Sequence, residues 1–95
     1  MALPKPEPLS PIDARNLMRE IIEHGEVQFS GHAIQEMADD DLQTTDCINV
    51  MRGGVVEWSE EQNGTWRYRV ATPRMCVVVA FPSATRLRVV TAWRK

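Results

Sequence analysis

The stretch Phe29-Ser30-Gly31-His32-Ala33, followed by Gln35-Glu36-Met37, offers the first side chain suited to chemistry, the imidazole of His32. Ser30 is a favoured N-cap, since its hydroxyl can accept a backbone N–H from the first turn of a helix. His32 then stands within that turn, beside unpaired N–H groups and the positive end of the helix dipole. Such a setting attracts an anion, for example phosphate. Two readings of His32 stay open: a member of an anion site, or a helix-start residue that bonds its own backbone.

The second chemical feature is a sorting of charge. Residues 1–62 hold all 13 acidic side chains with only Lys5, Arg15, Arg19 and Arg52 against them, a net charge of −9. Residues 63–95 hold Arg67, Arg69, Arg74, Arg86, Arg88, Arg94 and Lys95 and no acid, a net charge of +7. Guanidinium groups grip phosphate or carboxylate through a planar fork of donors. Such sorting predicts an electropositive surface built by the C-terminal third. The competing reading is that acidic helices pair with basic strands inside the fold, although exposed pairs contribute little to stability. Trp66, Tyr68 and Trp93 stand among the arginines, where they can stack nucleic-acid bases or simply fill the core.

The elements that must position these groups follow from caps and periodicity. Residues 1–10 form a proline-rich flexible arm, and residues 11–95 a single domain. Ser10 caps a first helix with Pro11 at its first position, Ile12, Leu17, Met18, Ile21 and Ile22 make its apolar side, and Gly25 ends it. Glu26 to Phe29 is a connector, a second helix runs from about Gly31 to Ala38, and Thr44 or Thr45 caps a third that closes at Gly53-Gly54. The period then changes to two. Val55 to Ser59 is a strand, Asn63-Gly64 a hairpin turn, and Thr65 to Ala71 the partner strand. Met75 to Phe81 is a central strand and Arg86 to Trp93 the last. The expected fold is α+β, with two to three N-terminal helices on one face of a four-stranded antiparallel sheet. Alternation puts Arg67 and Arg69 on one face of their strand. In the last strand it sets Arg86, Arg88 and Arg94 opposite Leu87, Val89, Thr91 and Trp93.

Two cysteines, Cys47 and Cys76, without a CxxC pair, and only two histidines argue against a structural zinc site. No apolar run is long enough for a membrane span or a secretory leader, so the expected location is cytoplasmic, with reduced thiols. No cofactor or metal is expected.

Phe29-Ser30-x-His32-Ala33-x-x-x-Met37, Thr45-Asp46, Gly53-Gly54, Trp66-Arg67-Tyr68-Arg69-Val70, Val77-Val78-Val79 and Val89-Val90-Thr91-Ala92-Trp93 together resemble a family of small bacterial domains of unknown function. That family has been grouped with RelE-like toxins in the barnase–EndoU–colicin–RelE ribonuclease superfamily, and the resemblance spans roughly residues 26 to 94. It implies a RelE-like fold and metal-independent RNA cleavage by a toxin held inactive by an antitoxin. It further implies His32, Arg67 and Thr91 as catalytic groups, while Arg69, Arg86, Arg88 and Trp93 are expected to contact RNA. In such chemistry the 2′-hydroxyl attacks the adjacent phosphate, a base such as neutral His32 takes its proton, and arginines hold the phosphoryl oxygens. Glu36 and Asp39-Asp40-Asp41 stand where relatives tend to carry basic residues, so RNA either avoids that end of the helix or binds this chain less well. The alternative is a non-catalytic module that holds RNA or a partner protein on the same basic sheet. Self-association, with the acidic turn of one copy over the sheet of the next, is a further reading.

Overall fold

A computed structural model describes residues 3–95; Met1 and Ala2 of the arm lie outside the described residues. The elements are α1 (Pro11–His24), β1 (Glu26–Phe29), α2 (Gly31–Asp39), α3 (Thr44–Gly53), β2 (Val55–Gln62), β3 (Thr65–Ala71), β4 (Met75–Ser83) and β5 (Arg86–Arg94). The protein is thus α+β, with three helices. The Ser10 hydroxyl accepts the Asp13 N–H at 3.1 Å, and Pro11 follows where its missing N–H costs nothing. Asn63 and Gly64 both take positive φ, which the tight β2–β3 turn requires. Gln43, rather than Thr44 or Thr45, stands at the start of α3, and the Asp46 carboxylate accepts its N–H at 2.7 Å.

The sheet corrects the expectation of four antiparallel strands. It has five, in the order β1-β5-β4-β3-β2, and β1 runs parallel to β5 with Val27 opposite Leu87 and Phe29 opposite Val89. Glu26 to Phe29 reads locally as a connector because its partner lies far along the chain, and parallel pairing leaves no hairpin signal. Gly25, between α1 and β1, admits this approach, since a Cβ there would strike the Thr85 carbonyl. The helices cover one sheet face. Their Leu17, Met18, Ile21, Met37 and Met51 meet Tyr68, Val70, Val77, Val79, Leu87 and Val89 in one core.

A bulge in β5 sets the other face. Val79 pairs with Val89 but Val78 pairs with Thr91, so Val90 is an inserted residue and the alternation inverts beyond it. Thr91 and Trp93 therefore join Arg88 on the outer face, and Ala92 becomes core, whereas unbroken alternation would have opposed them. The end of the arm is docked. Leu9 is buried, its N–H donates to the Tyr68 hydroxyl at 3.0 Å, and that hydroxyl donates to Glu7 Oε2 at 2.7 Å. No helix among the described residues is long and apolar enough to cross a membrane.

Candidate functional site

Ser30 builds the site. Its N–H donates to the Val89 carbonyl at 3.0 Å, its hydroxyl donates to the Val90 carbonyl at 2.8 Å, and the same oxygen accepts the Ala33 N–H at 3.0 Å. The start of α2 is thereby fixed to the bulge of β5. First-turn N–H groups have no intrahelical acceptor, and Ser30 satisfies only that of Ala33, leaving those of Gly31 and His32 without a partner among the described residues.

Beside this helix start lies a cleft of about 660 Å³ at the end of the sheet where β3 begins and β4 finishes. Ser30, His32, Arg88 and Val90 line one side. Arg67, Trp66 and Glu7 line the other, with Ala80 and Phe81 of β4 between. Arg88 pairs with Ala80, while Tyr68 pairs with Val79, which puts Arg67 on the opposite flank of Ala80. The small Ala80 side chain thus leaves space between two arginines. The Arg67 Nε is buried and has no hydrogen-bond partner among the described residues. A buried donor left unpaired is costly, and a bound anion would satisfy it. The His32 side chain is 67% exposed, and its Nε2 lies 3.2 Å from Glu36 Oε1, one helical turn on.

Three further arginines of the C-terminal third, Arg69, Arg86 and Arg94, are engaged within the fold. Arg69 lies between two rings, its guanidinium carbon 5.9 Å from the centroid of Trp58 and 5.2 Å from that of Trp93. Its Nε stands 2.9 Å from Glu57 Oε1 off the N–H axis, a charge contact rather than an aligned hydrogen bond, and its Nη2 donates to Cys76 Sγ at 3.1 Å. Arg86 faces Glu26 at 3.7 Å. Arg94 donates from its backbone to Asp40 Oδ2 at 2.8 Å and from its side chain to the Asp40 and Asp41 carbonyls, closing the C-terminal end of α2. Part of the acidic run thus has a structural role. Pairing within the fold accounts for these three cations, while Arg67 and Arg88 make no ion pair among the described residues.

Of the residues expected to act, His32, Arg67 and Arg88 meet at one cleft. Thr91 does not line it; it pairs with Val78, beyond the bulge. Arg69 and Trp93 stack on each other, and Arg86 sits at the β1–β5 pairing. Glu7 was not among the residues that sequence reasoning singled out. A carboxylate in a proline-rich arm carries no local signal, and only the Tyr68 hydroxyl, far along the chain, brings it to the cleft. Burial, foremost, pushes the Tyr68 phenol well above its ordinary range, with Glu7 adding to the rise and the Leu9 N–H opposing it. Among the described residues, no group of three or more His, Cys, Asp or Glu is placed to hold a metal ion.

Residues 29–94 match the family described as a domain of unknown function (DUF4258), and the chain belongs to that family. No curated protein and no solved structure matches the chain significantly. The matched segment begins just ahead of Ser30 and reaches Arg94. It contains His32, Arg67 and Arg88 and leaves out α1 and the arm that carries Glu7.

Proposed function

We propose that this DUF4258 domain is a toxin-like endoribonuclease of the RelE kind, cleaving RNA without a metal by attack of a 2′-hydroxyl on the adjacent phosphate. The observation that carries this reading is the cleft that Arg67, whose buried Nε has no partner among the described residues, lines together with Arg88 and His32 at the start of α2. A phosphodiester there supplies acceptors for both guanidinium groups. Arg67 and Arg88 hold its non-bridging oxygens and oppose the charge that gathers on them. Neutral His32 takes the 2′-hydroxyl proton, and the Glu36 carboxylate at 3.2 Å stabilises the imidazolium that results. The 2′-oxygen bonds to phosphorus as the 5′-oxygen departs with a proton from solvent, leaving a 2′,3′-cyclic phosphate and a 5′-hydroxyl. Thr91 has no part in this scheme. The protein acts in the cytoplasm, and an antitoxin with acidic side chains covers the cleft until release.

The test is incubation of the pure protein with end-labelled RNA in EDTA. His32→Ala is expected to keep the fold and to lower cleavage by about 10²–10⁴, the usual contribution of a general acid or base. Undiminished cleavage by the folded variant would remove His32 from the chemistry. A second reading, RNA binding without cleavage, is favoured by one observation: Thr91 lies outside the cleft, so His32 lacks the strand partner that the resemblance implies. Salt-sensitive RNA binding with no cyclic-phosphate product would select it.

A further inference from the structure

We propose that the β3 side of the same cleft is a base-recognition site for guanine, in which Glu7 reads the Watson–Crick edge and Trp66 offers a stacking surface. The inference rests on the reading of the cleft as a phosphodiester site, and it adds which nucleotide the site selects. Alternation separates two chemistries at this end of the sheet. Arg67 and Arg88 flank Ala80 on the outer face, whereas Trp66 packs on the core side, where Tyr68 also holds Glu7. A cleft of about 660 Å³ has room for more than a phosphate. Its aromatic, partly buried flank suits a ring rather than a second anion.

Glu7 is held for such a role. Its carboxylate accepts the Tyr68 hydroxyl at 2.7 Å, Tyr68 is wholly buried, and the same hydroxyl accepts the Leu9 N–H at 3.0 Å while Leu9 sits in the core. The arm therefore presents a fixed carboxylate at the cleft wall. An ionised carboxylate only accepts hydrogen bonds, and its two oxygens together suit two adjacent donors. On the Watson–Crick edges of the four RNA bases, only guanine sets two donors side by side, N1–H and the N2 amine. Adenine and cytosine set a donor beside an acceptor, and uracil places its one donor between two acceptors. Glu7 thus favours guanine and repels the ring nitrogen or carbonyl oxygen that the other bases would present. Because Glu7 is held from the core side by Tyr68 while Arg67 and Arg88 face outward, its charge meets the base and not the phosphate.

Calorimetric titration with guanosine, adenosine and uridine 3′-monophosphates, and with inorganic phosphate as probe of the cationic side alone, tests this. Guanosine monophosphate is expected to bind about 10–100-fold more tightly than the other two, the range a paired base contact supplies. Glu7→Gln keeps an oxygen for the Tyr68 hydroxyl but turns a donor to the base. It should abolish that preference, weakening guanosine monophosphate while adenosine monophosphate, no longer repelled, binds at least as tightly as before. Trp66→Leu should weaken all three nucleotides and leave phosphate unaffected. Equal affinity for the three nucleotides, or a guanine preference that survives Glu7→Gln, overturns the inference while the phosphate side stands. Guanine-selective binding by a protein that does not cut RNA supports it and removes the endoribonuclease reading instead.

Discussion

Arg67 and Arg69 are two residues apart on one strand face, yet their surroundings give them opposite roles. Arg69 is enclosed by Trp58, Trp93, Glu57 and Cys76, so its charge is used inside the fold. Arg67 keeps a buried donor unpaired beside an open cleft. Removing Arg69 strands Glu57 and empties the space between two indoles. Arg69→Ala is therefore expected to cost about 1–3 kcal/mol of stability in urea unfolding, the two groups being only partly buried. Arg88→Ala should stay within about 0.5 kcal/mol of the parent, as surface substitutions do, and Arg67→Ala should not destabilise by more, since it removes a buried donor that has no partner among the described residues. Each should instead make the salt dependence of RNA binding shallower, by a log–log slope of about 0.7 per lost phosphate contact. A large stability loss in Arg67→Ala alongside an unchanged salt slope would reverse the assignment. The sequence makes both arginines visible but cannot rank them. What separates them is what lies across the sheet, and Glu57 and Trp58 reach Arg69 through an irregularity in β2 that leaves no local mark.

At the scale of elements, signals carried by neighbouring residues were legible and those carried by distant ones were not. Ser10, Ser30 and Asn63-Gly64 act where their types direct, because a cap or a turn is decided within a few residues. The parallel strand β1 and the bulge at Val90 depend on partners elsewhere in the sheet. The bulge matters most for the site, since it turns the Val90 carbonyl to the Ser30 hydroxyl and sends Arg94 to the end of α2 rather than to the outer face. Ser30→Ala removes the cap and this tie together, leaving the Ala33 N–H and the Val90 carbonyl without their partner. Its expected cost is about 1–2 kcal/mol, typical of a lost N-cap. Cleavage should fall as well, because the helix start that carries His32 is no longer fixed. Ser30→Thr, which keeps the hydroxyl, should recover most of both; a Thr variant as impaired as Ala would show that the hydroxyl is not the link.

Across the whole molecule the sorted charges meet at three places: Glu57 with Arg69, Glu26 with Arg86, and Asp40 with the Arg94 N–H, each joining the acidic part of the chain to the basic part. These exposed or half-exposed contacts contribute little to stability at neutral pH. High pH acts on different groups, in the core. Burial pushes the Cys47 thiol up to about 11 from an ordinary 9.0, with Asp46 adding to the effect, and raises the Tyr68 phenol above its ordinary 10.0. A group whose ionisation is delayed in the folded protein supports the fold fully below its unfolded value and loses that support as pH climbs towards the folded one. Unfolding free energy should accordingly be flat up to about pH 9 and then decline by about 1.4 kcal/mol per pH unit as the unfolded thiol ionises. Tyr68 steepens the decline above about pH 10, where the unfolded phenol begins to ionise while the folded one does not. Urea titrations at pH 8, 9.5 and 10.5 would resolve the two. Cys47→Ala starts from a lower stability because of the space it leaves, but its curve should stay level to about pH 10. Tyr68→Phe should retain the thiol-linked decline and lose the steeper one, while leaving the buried Leu9 N–H without an acceptor at a cost of about 1–3 kcal/mol at every pH. If Cys47→Ala declines from pH 9 as steeply as the parent, the thiol is not the group that the alkaline limb reports.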